Sequence, residues 1–454
     1  MPDLTRSFQS FLSRYKRAID VKNDLRAIFI RPHARHATLD GARAITILLM
    51  VLFHVMFGVA VLLRENIANL DNFIANFPRQ LGWLWQSQGS DPLFVMCGLL
   101  VAYTLFREYD KQGSIDIPRF YRRRLMRIMP LFLLALLIYL PTDKDNIEFV
   151  LSNLIFMSNY ISGQRTVIPV GWSLDVQMHF YLLLPFLLLL MYKLPFRIGF
   201  LVGLFVASIA WRYFIVARNP EIWQTPFYQI FYDSTFGRLL ADQLYYDLDV
   251  RIGCFFAGMI VAYLHYYHGK QIQAFFERHL LVSALVVIAG AAMIVGALYF
   301  PMENKYHPFY ENFDPNFNLW HLVLSRYTYT TGLCFLLLSA LCPAGLGRAV
   351  NWVLSWKVWH PVAQLIFPIY LFHFPFIVIG ALLTFWTVDR DSIAVVHVWQ
   401  VFSIFFWAVL LTMAFSVLAH LYVEKPFLNM RKADGVKDHS AIPNTVDTAI
   451  AEKA

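Results

Sequence analysis

Apolar stretches of about 20 residues, the length that carries a helix across a hydrocarbon core, recur from one end of this sequence to the other. No other feature limits the fold as much. Inside a bilayer every backbone N–H and C=O must find its partner within the protein, and separate apolar stretches of this length do so as helices. About ten can be placed, near 42–63, 83–106, 126–141, 171–192, 197–217, 249–267, 279–300, 326–342, 361–386 and 396–422. The expected fold is all-α, a polytopic membrane helical bundle. The path of 147–170, which precedes the fourth stretch, stays open. Composition agrees: 58% of residues are hydrophobic and 15% charged, against about 25% charged in soluble proteins. The start of the chain shows no short apolar core followed by a small-residue cleavage site, so no removable signal peptide is expected.

The net charge of +8 raises the question of nucleic acid, and the placement of the charges answers against it. Arg6, Arg14, Lys16, Arg17, Lys22, Arg26, Arg31 and Arg35 crowd the start. Arg107, Lys111, Arg119, Arg122, Arg123, Arg124 and Arg127 crowd the 107–128 connection. With these on the cytosolic side, alternate connections gather roughly 26 basic residues against roughly 10 opposite, which places both termini in the cytosol. Cys97, Cys254, Cys334 and Cys342 lie in or beside apolar segments. Their spacing suggests neither a metal site nor a disulfide framework.

Three regions follow from this pattern: a basic arm over 1–36, a membrane domain over 37–432 and a polar tail over 433–454 that reads as disordered. In the arm, Phe8, Phe11, Leu12, Tyr15 and Ile19 recur at helical spacing among basic residues. That suits either a helix lying on an anionic leaflet or a loosely ordered tail. Opposite the arm, the connections 64–90, 218–248 and 301–325 are long and aromatic. They suit stacking on sugar faces or an interfacial aromatic belt. No internal repeat relates the halves, which counts against many secondary-transporter folds.

Ionisable residues within spans are expensive and demand a reason. "LDGARAITILLMVLFHVMFG" carries Arg43 and His54, eleven positions apart. Eleven steps of 100° nearly complete three turns, so the two share a face about 16 Å apart along the axis. Arg43 then sits at the cytosolic mouth and His54 near mid-membrane. An anion at the mouth and a proton acceptor deep inside suit a ligand with a phosphate head and a reactive end; a snorkelling arginine and a packing histidine are the plainer alternatives. In "RFYRRRLMRIMP", Arg123 and Arg127 share a helix face beside Arg124. Clustered guanidinium groups suit bidentate phosphate binding, by a ligand or by lipid headgroups. Asp91 before Pro92 reads as a helix N-cap. It lies about 24 Å above Arg107, where it can instead orient an imidazole or take a proton.

Taken in order, these segments resemble the acyltransferase-3 family of integral membrane acyltransferases. Arg43 and His54 match its Arg-x10-His signature. "DPLFVMCGLLVAY" resembles its second-helix motif and "RRRLMRIMP" its Arg-Arg-x-x-Arg-Ile-x-Pro stretch. "GWSLDVQMHFYLLLP" resembles its Trp-Ser-Leu motif, "IFPIYLFHFPF" its Tyr-Leu-x-His motif and "VEKPF" its final-helix exit. The set covers 37–432. One departure stands out: where members often carry Val-Glu-Glu-Gln or Val-Glu-x-Gln, this chain has Val176, Gln177, Met178 and His179. Asp175, about 100° around the helix, does not replace the missing carboxylate.

The resemblance implies transfer of an acyl group, commonly acetyl, from cytosolic acyl-CoA to a hydroxyl of an extracytoplasmic acceptor, often a polysaccharide or lipopolysaccharide sugar. It also implies a bacterial inner membrane. No permanently bound cofactor is expected; acyl-CoA is the donor substrate, and the partners are the bilayer and a carbohydrate or glycolipid acceptor. Arg123, Arg124 and Arg127 would hold the CoA phosphates, and Arg43 would guide the pantetheine arm. His54 would act as general base or, failing that, carry the acyl group, with Asp91 beside it. Trp172, Ser173, Tyr181 and His373 would line the tunnel or serve packing. The competing class is a proton-coupled carrier using Arg43, His54 and Asp91 as a relay.

Overall fold

The computed structural model describes residues 2–32, 37–86, 89–142, 146–161, 166–387, 392–393 and 395–433. Arg35 and the tail after Ala433 lie outside these, as do the side chains of Arg6, Phe8 and Phe11. The described chain is all-helical. The elements used below are α1 (Pro2–Ala18), α2 (Val21–Phe29), α3 (Ala37–Leu63), α4 (Ile67–Ala75), α5 (Asp91–Gln112), α6 (Ile117–Tyr139) and α7 (Gly171–Lys193). They continue as α8 (Arg197–Arg218), α9 (Ser234–Leu244), α10 (Ile252–Arg278), α11 (Leu280–Leu298), α12 (Pro315–Leu341) and α13 (Leu346–Leu354). The last are α14 (Ile366–Phe385), α15 (Val398–Ala419) and α16 (Lys425–Ala433).

Among the described residues, eight helices are long and apolar enough to cross a membrane, and α12 with α13, bent by 91°, makes a ninth if the pair counts as one span. The other stretch expected to span, 249–267, lies in α10. That helix is 27 residues long, but its second half carries Tyr263, His265, Tyr266, Tyr267 and His268. The first half, Gly253 to Ala262, is the buried part, packed by α5, α8 and α12, and the polar residues follow where the helix is half-buried to exposed.

α10 packs along α5 with its backbone in contact. A Cβ added at Gly98 would lie 2.2 Å from the Phe255 carbonyl oxygen, and one at Gly258 would lie 2.0 Å from that of Val95. Small residues at matched positions bring two membrane helices this close.

Internal prolines leave carbonyls without their helical donors, and tyrosines from other elements fill two of them. Pro375 frees Leu371 O, which accepts from Tyr139 Oη at 3.0 Å and so ties α6 to α14. Pro426 frees Tyr422 O, which accepts from Tyr15 Oη of the arm. At that point the last span passes through a π turn, His420–Glu424, closed by His420 Nδ1 on Glu424 Oε2 at 2.6 Å. The arm is helical and lies on this end of the bundle. Asn429 Nδ2 donates to Ala18 O at 3.0 Å and to Asp24 Oδ2 at 3.1 Å, and Lys425 Nζ stands 3.4 Å from Asp24.

The opposite end, the far end below, is capped by the aromatic connections. Trp85 is buried among Phe73, Phe77 and Phe231, and His321 stacks on Phe300 at 3.7 Å. Asp71 accepts from Lys305 Nζ at 2.8 Å and from Tyr232 Oη at 2.7 Å, clasping three connections. Burial is the largest single influence on Asp71 and opposes its ionisation, but the donors, Tyr306 among them, together outweigh it and hold the carboxyl below its ordinary value.

Glu303 behaves oppositely. It is buried, its Oε2 has no hydrogen-bond partner, and burial pushes its carboxyl up from 4.5 to about 7. The folded state therefore binds more protons than the unfolded between those values, so stability falls as pH rises from about 4.5 to about 7. Thermal unfolding of the wild type should show a lower Tm at pH 8 than at pH 5.5, and Glu303→Gln should shrink that difference. An equal pH dependence in the variant would remove Glu303 as its source.

Candidate active site

Arg43 of α3, the arginine-bearing first half of α6, much of α5 and the first turns of α7 and α14 enclose a cavity of about 200 Å³. At the basic end its wall carries Arg43, Arg124 and Arg127; deeper in it carries Cys97, Gln177 and Tyr181, and then Ser90, Ser173 and Tyr370. Among the described residues, no carboxylate lines it. Three guanidinium groups facing one space suit a phosphate-bearing ligand.

Each arginine is placed by its neighbours. Arg43 lies within 3.7 Å of Asp40, one turn earlier on α3. That buried carboxylate also accepts from His360 Nδ1 at 2.9 Å and has Arg31 Nε at 3.5 Å. Arg124 lies over the rings of Phe120 and Tyr181, 5.5 and 5.3 Å from their centroids, and its buried Nε has no hydrogen-bond partner. Arg127 is exposed at the mouth. Arg123, expected to share this duty, turns instead to Glu108 at 2.7 Å, whose other oxygen accepts from Asp116 N at 2.9 Å. The local ion pair orients it away from the cavity wall.

His54 is half-buried on the face of α3 that carries Arg43. Its Nδ1 is 3.0 Å from Nε2 of His373, and the ring packs on Phe374 with centroids 4.9 Å apart. His373 is fully buried, and its Nδ1 lies 2.9 Å from Tyr370 O and 3.1 Å from Ile369 O. Carbonyls only accept, so the His373 proton sits on Nδ1 and its Nε2 is the acceptor when the ring is uncharged. His54 must then donate from Nδ1, which leaves its Nε2 with the free lone pair. The contact thus fixes one tautomer of His54, the arrangement that orients a general base. Neither ring forms part of the cavity wall. Tyr370, one turn before His373, does; its hydroxyl is 2.6 Å from Ser173 Oγ and donates to Val170 O at 2.6 Å.

Asp91 is elsewhere. It opens α5, fully buried, with Arg251 Nη1 at 2.6 Å and Arg326 Nη1 bonded to both of its oxygens. The imidazole beside His54 belongs to His373, and the Asp91 carboxylate is spent on two guanidiniums. Trp172 also leaves the cavity wall: it packs on Tyr245, with centroids 4.6 Å apart, under the Arg251 guanidinium. Ser173 and Tyr181 do line the cavity. Gln177, at the position where a glutamate was expected, lines it too. Its Nε2 donates to Tyr181 Oη at 2.5 Å and stands 3.3 Å from Cys97 Sγ. Asp175 points away, accepting from Ser158 N at 3.0 Å and from the Ser158 hydroxyl. Among the described residues, no group of three or more His, Cys, Asp or Glu is placed to hold a metal ion.

Fold and site together define a multi-pass membrane protein with a cationic cavity at one end and a paired histidine within the bundle. The chain belongs to the acyltransferase-3 family: the family profile described as "Acyltransferase domain" matches residues 36–421. Relatives agree. A protein of Staphylococcus aureus (strain COL), provisionally named an O-acetyltransferase, is 26% identical over 248 residues, covering 50% of this chain and 34% of that one. The O-acetyltransferase OatA of S. aureus (strain NCTC 8325 / PS 47) is 23% identical over 316 residues, 64% of this chain and 46% of OatA. The nose resistant to fluoxetine protein 6 of Caenorhabditis elegans is 22% identical over 377 residues, 74% of this chain and 44% of that one. The chain thus spans less than half the length of each of these relatives. No solved structure matches it.

Proposed function

We propose that this protein is an acyl-CoA-dependent O-acyltransferase. It moves an acyl group, acetyl in the first instance, from the cytosol to a hydroxyl of an extracytoplasmic polysaccharide or glycolipid. The basic end faces the cytosol, as the excess of Lys and Arg there favours, and the membrane is a bacterial inner membrane. The observation that carries this reading is the cavity wall: Arg43, Arg124 and Arg127 at one end, hydroxyls of Ser90, Ser173 and Tyr370 deeper in, and no carboxylate among the described residues that line it. A CoA phosphate group anchors at the arginines and the pantetheine arm runs inward past Gln177 and Tyr181.

At the inner end, separation of the Tyr370–Ser173 hydroxyl pair opens the way to His54. The Nε2 of His54 takes the proton of the acceptor hydroxyl as its oxygen attacks the thioester carbonyl. Collapse of the tetrahedral adduct expels the CoA thiolate, which takes up a proton as free CoA, and leaves the ester on the acceptor.

Calorimetry of acetyl-CoA with the purified chain tests the donor half. Wild type, His54→Ala and Arg123→Ala should bind alike. Arg124→Ala/Arg127→Ala should bind at least about 100-fold more weakly, since each charge-assisted hydrogen bond contributes about 1.5–3 kcal/mol. A wild type that ignores acetyl-CoA and other short acyl-CoAs would remove the donor assignment and bring the proton-coupled carrier forward.

A further inference from the structure

Beyond Asp91, at the far end of α5, three arginines are buried around one carboxylate. Arg212 of α8, Arg251 at the head of α10 and Arg326 of α12 are 3%, 0% and 6% exposed. Among the described residues Asp91 is the only acid bonded to any of them. Arg212 touches neutral acceptors alone: Nε donates to Leu322 O at 2.9 Å, and Nη1 to Leu244 O and Val250 O, each at 3.2 Å. Three guanidinium cations against one carboxylate leave an excess of two positive charges out of water, with Arg212 lacking any ionic partner among the described residues, an arrangement proteins avoid unless an anion is supplied.

A small cavity adjoins these groups. It has a volume of about 30 Å³ and is lined by Arg212 and Arg326 together with Gln86, Tyr245, His321 and Ser325. The Nε of Arg326 is buried and has no hydrogen-bond partner. We infer that this cavity between α8, α9 and α12 binds a small monovalent inorganic anion of the halide class, held by Arg212 and Arg326. The space takes about two water-sized spheres, enough for a halide and too little for a phosphate ester or a sugar. Bound there, the ion lowers the excess charge behind Asp91. Because Arg251 also reaches Ser90 Oγ at 3.4 Å, a residue of the larger cavity's wall, the ion braces that cavity's far end.

Thermal unfolding of the full chain in detergent tests this, with sodium chloride or bromide replacing sodium gluconate at constant ionic strength. Gluconate is too large for the cavity. The wild-type Tm should rise saturably by about 2 °C or more. Arg212→Gln, which removes a cation, and Ser325→Leu, which fills the space, should each abolish the rise. Crystals grown in bromide should show its anomalous signal between Arg212 and Arg326, a readout that needs no variant to fold. Equal Tm in gluconate and halide, a rise that survives Ser325→Leu, or bromide found only elsewhere would each overturn the site.

Discussion

His54→Ala is expected to keep acetyl-CoA affinity at the wild-type level while lowering acyl transfer by about 10²–10⁴-fold, the usual worth of a positioned general base. Binding survives because the guanidiniums proposed to meet the donor lie elsewhere, Arg43 three turns away on α3 and Arg124 and Arg127 on α6. Transfer falls because the base is gone from its place: the Nε2 of His373, left without its partner, lies one ring farther back and fully buried. The neighbour sharpens the test. His373→Leu removes the acceptor that holds His54 in its Nδ1–H form, so kcat should fall with KM for the donor unchanged. His373→Gln, whose amide oxygen can accept the same proton, should recover part of the loss. A packing role alone would show the reverse order, with the apolar leucine tolerated better. Single-turnover assays on these variants read the difference directly. Transfer that persists in His54→Ala would sink the base assignment.

What the sequence reveals here is what a single helix determines. Arg43 and His54 share a face because eleven steps on one helix say so. The arginine excess of 107–128 marks one end of the bundle for the same local reason. Contacts between helices were not legible. Nothing near Arg123 and Arg124 says which of them meets the cavity, since the deciding group, Glu108, is fifteen positions back and belongs to α5. The partner of His54 lies 319 positions away. The bend of 91° between α12 and α13 and the polar second half of α10 blur the count of spans, because that half continues past the buried first half into a half-buried to exposed stretch. One signal in the sequence does bear on Asp91: Arg251 and Arg326 lie in or beside apolar segments as Arg43 does, and an arginine at membrane depth needs a partner, a demand that Asp91 meets.

That pairing makes Asp91 the residue whose loss should be felt most in stability. Asp91→Asn is nearly isosteric, yet it leaves three buried guanidiniums with no carboxylate among them. Breaking a buried ion pair from one side costs about 3–5 kcal/mol, here with two arginines left behind at once. The expected result is a sharply lower Tm and poor yield of folded protein. Two second-site changes separate charge from shape. Adding Arg326→Gln to Asp91→Asn removes one orphaned cation and should recover part of the Tm, although Arg326→Gln alone is itself destabilising. Adding Arg123→Gln, on the Glu108 pair at the basic end, should recover nothing. A catalytic Asp91 would behave differently: Asp91→Asn would fold with an unchanged Tm and lose turnover, and Arg326→Gln would rescue neither. The sign of the coupling between positions 91 and 326, measured as a double-mutant cycle in Tm and in turnover, decides between the two roles.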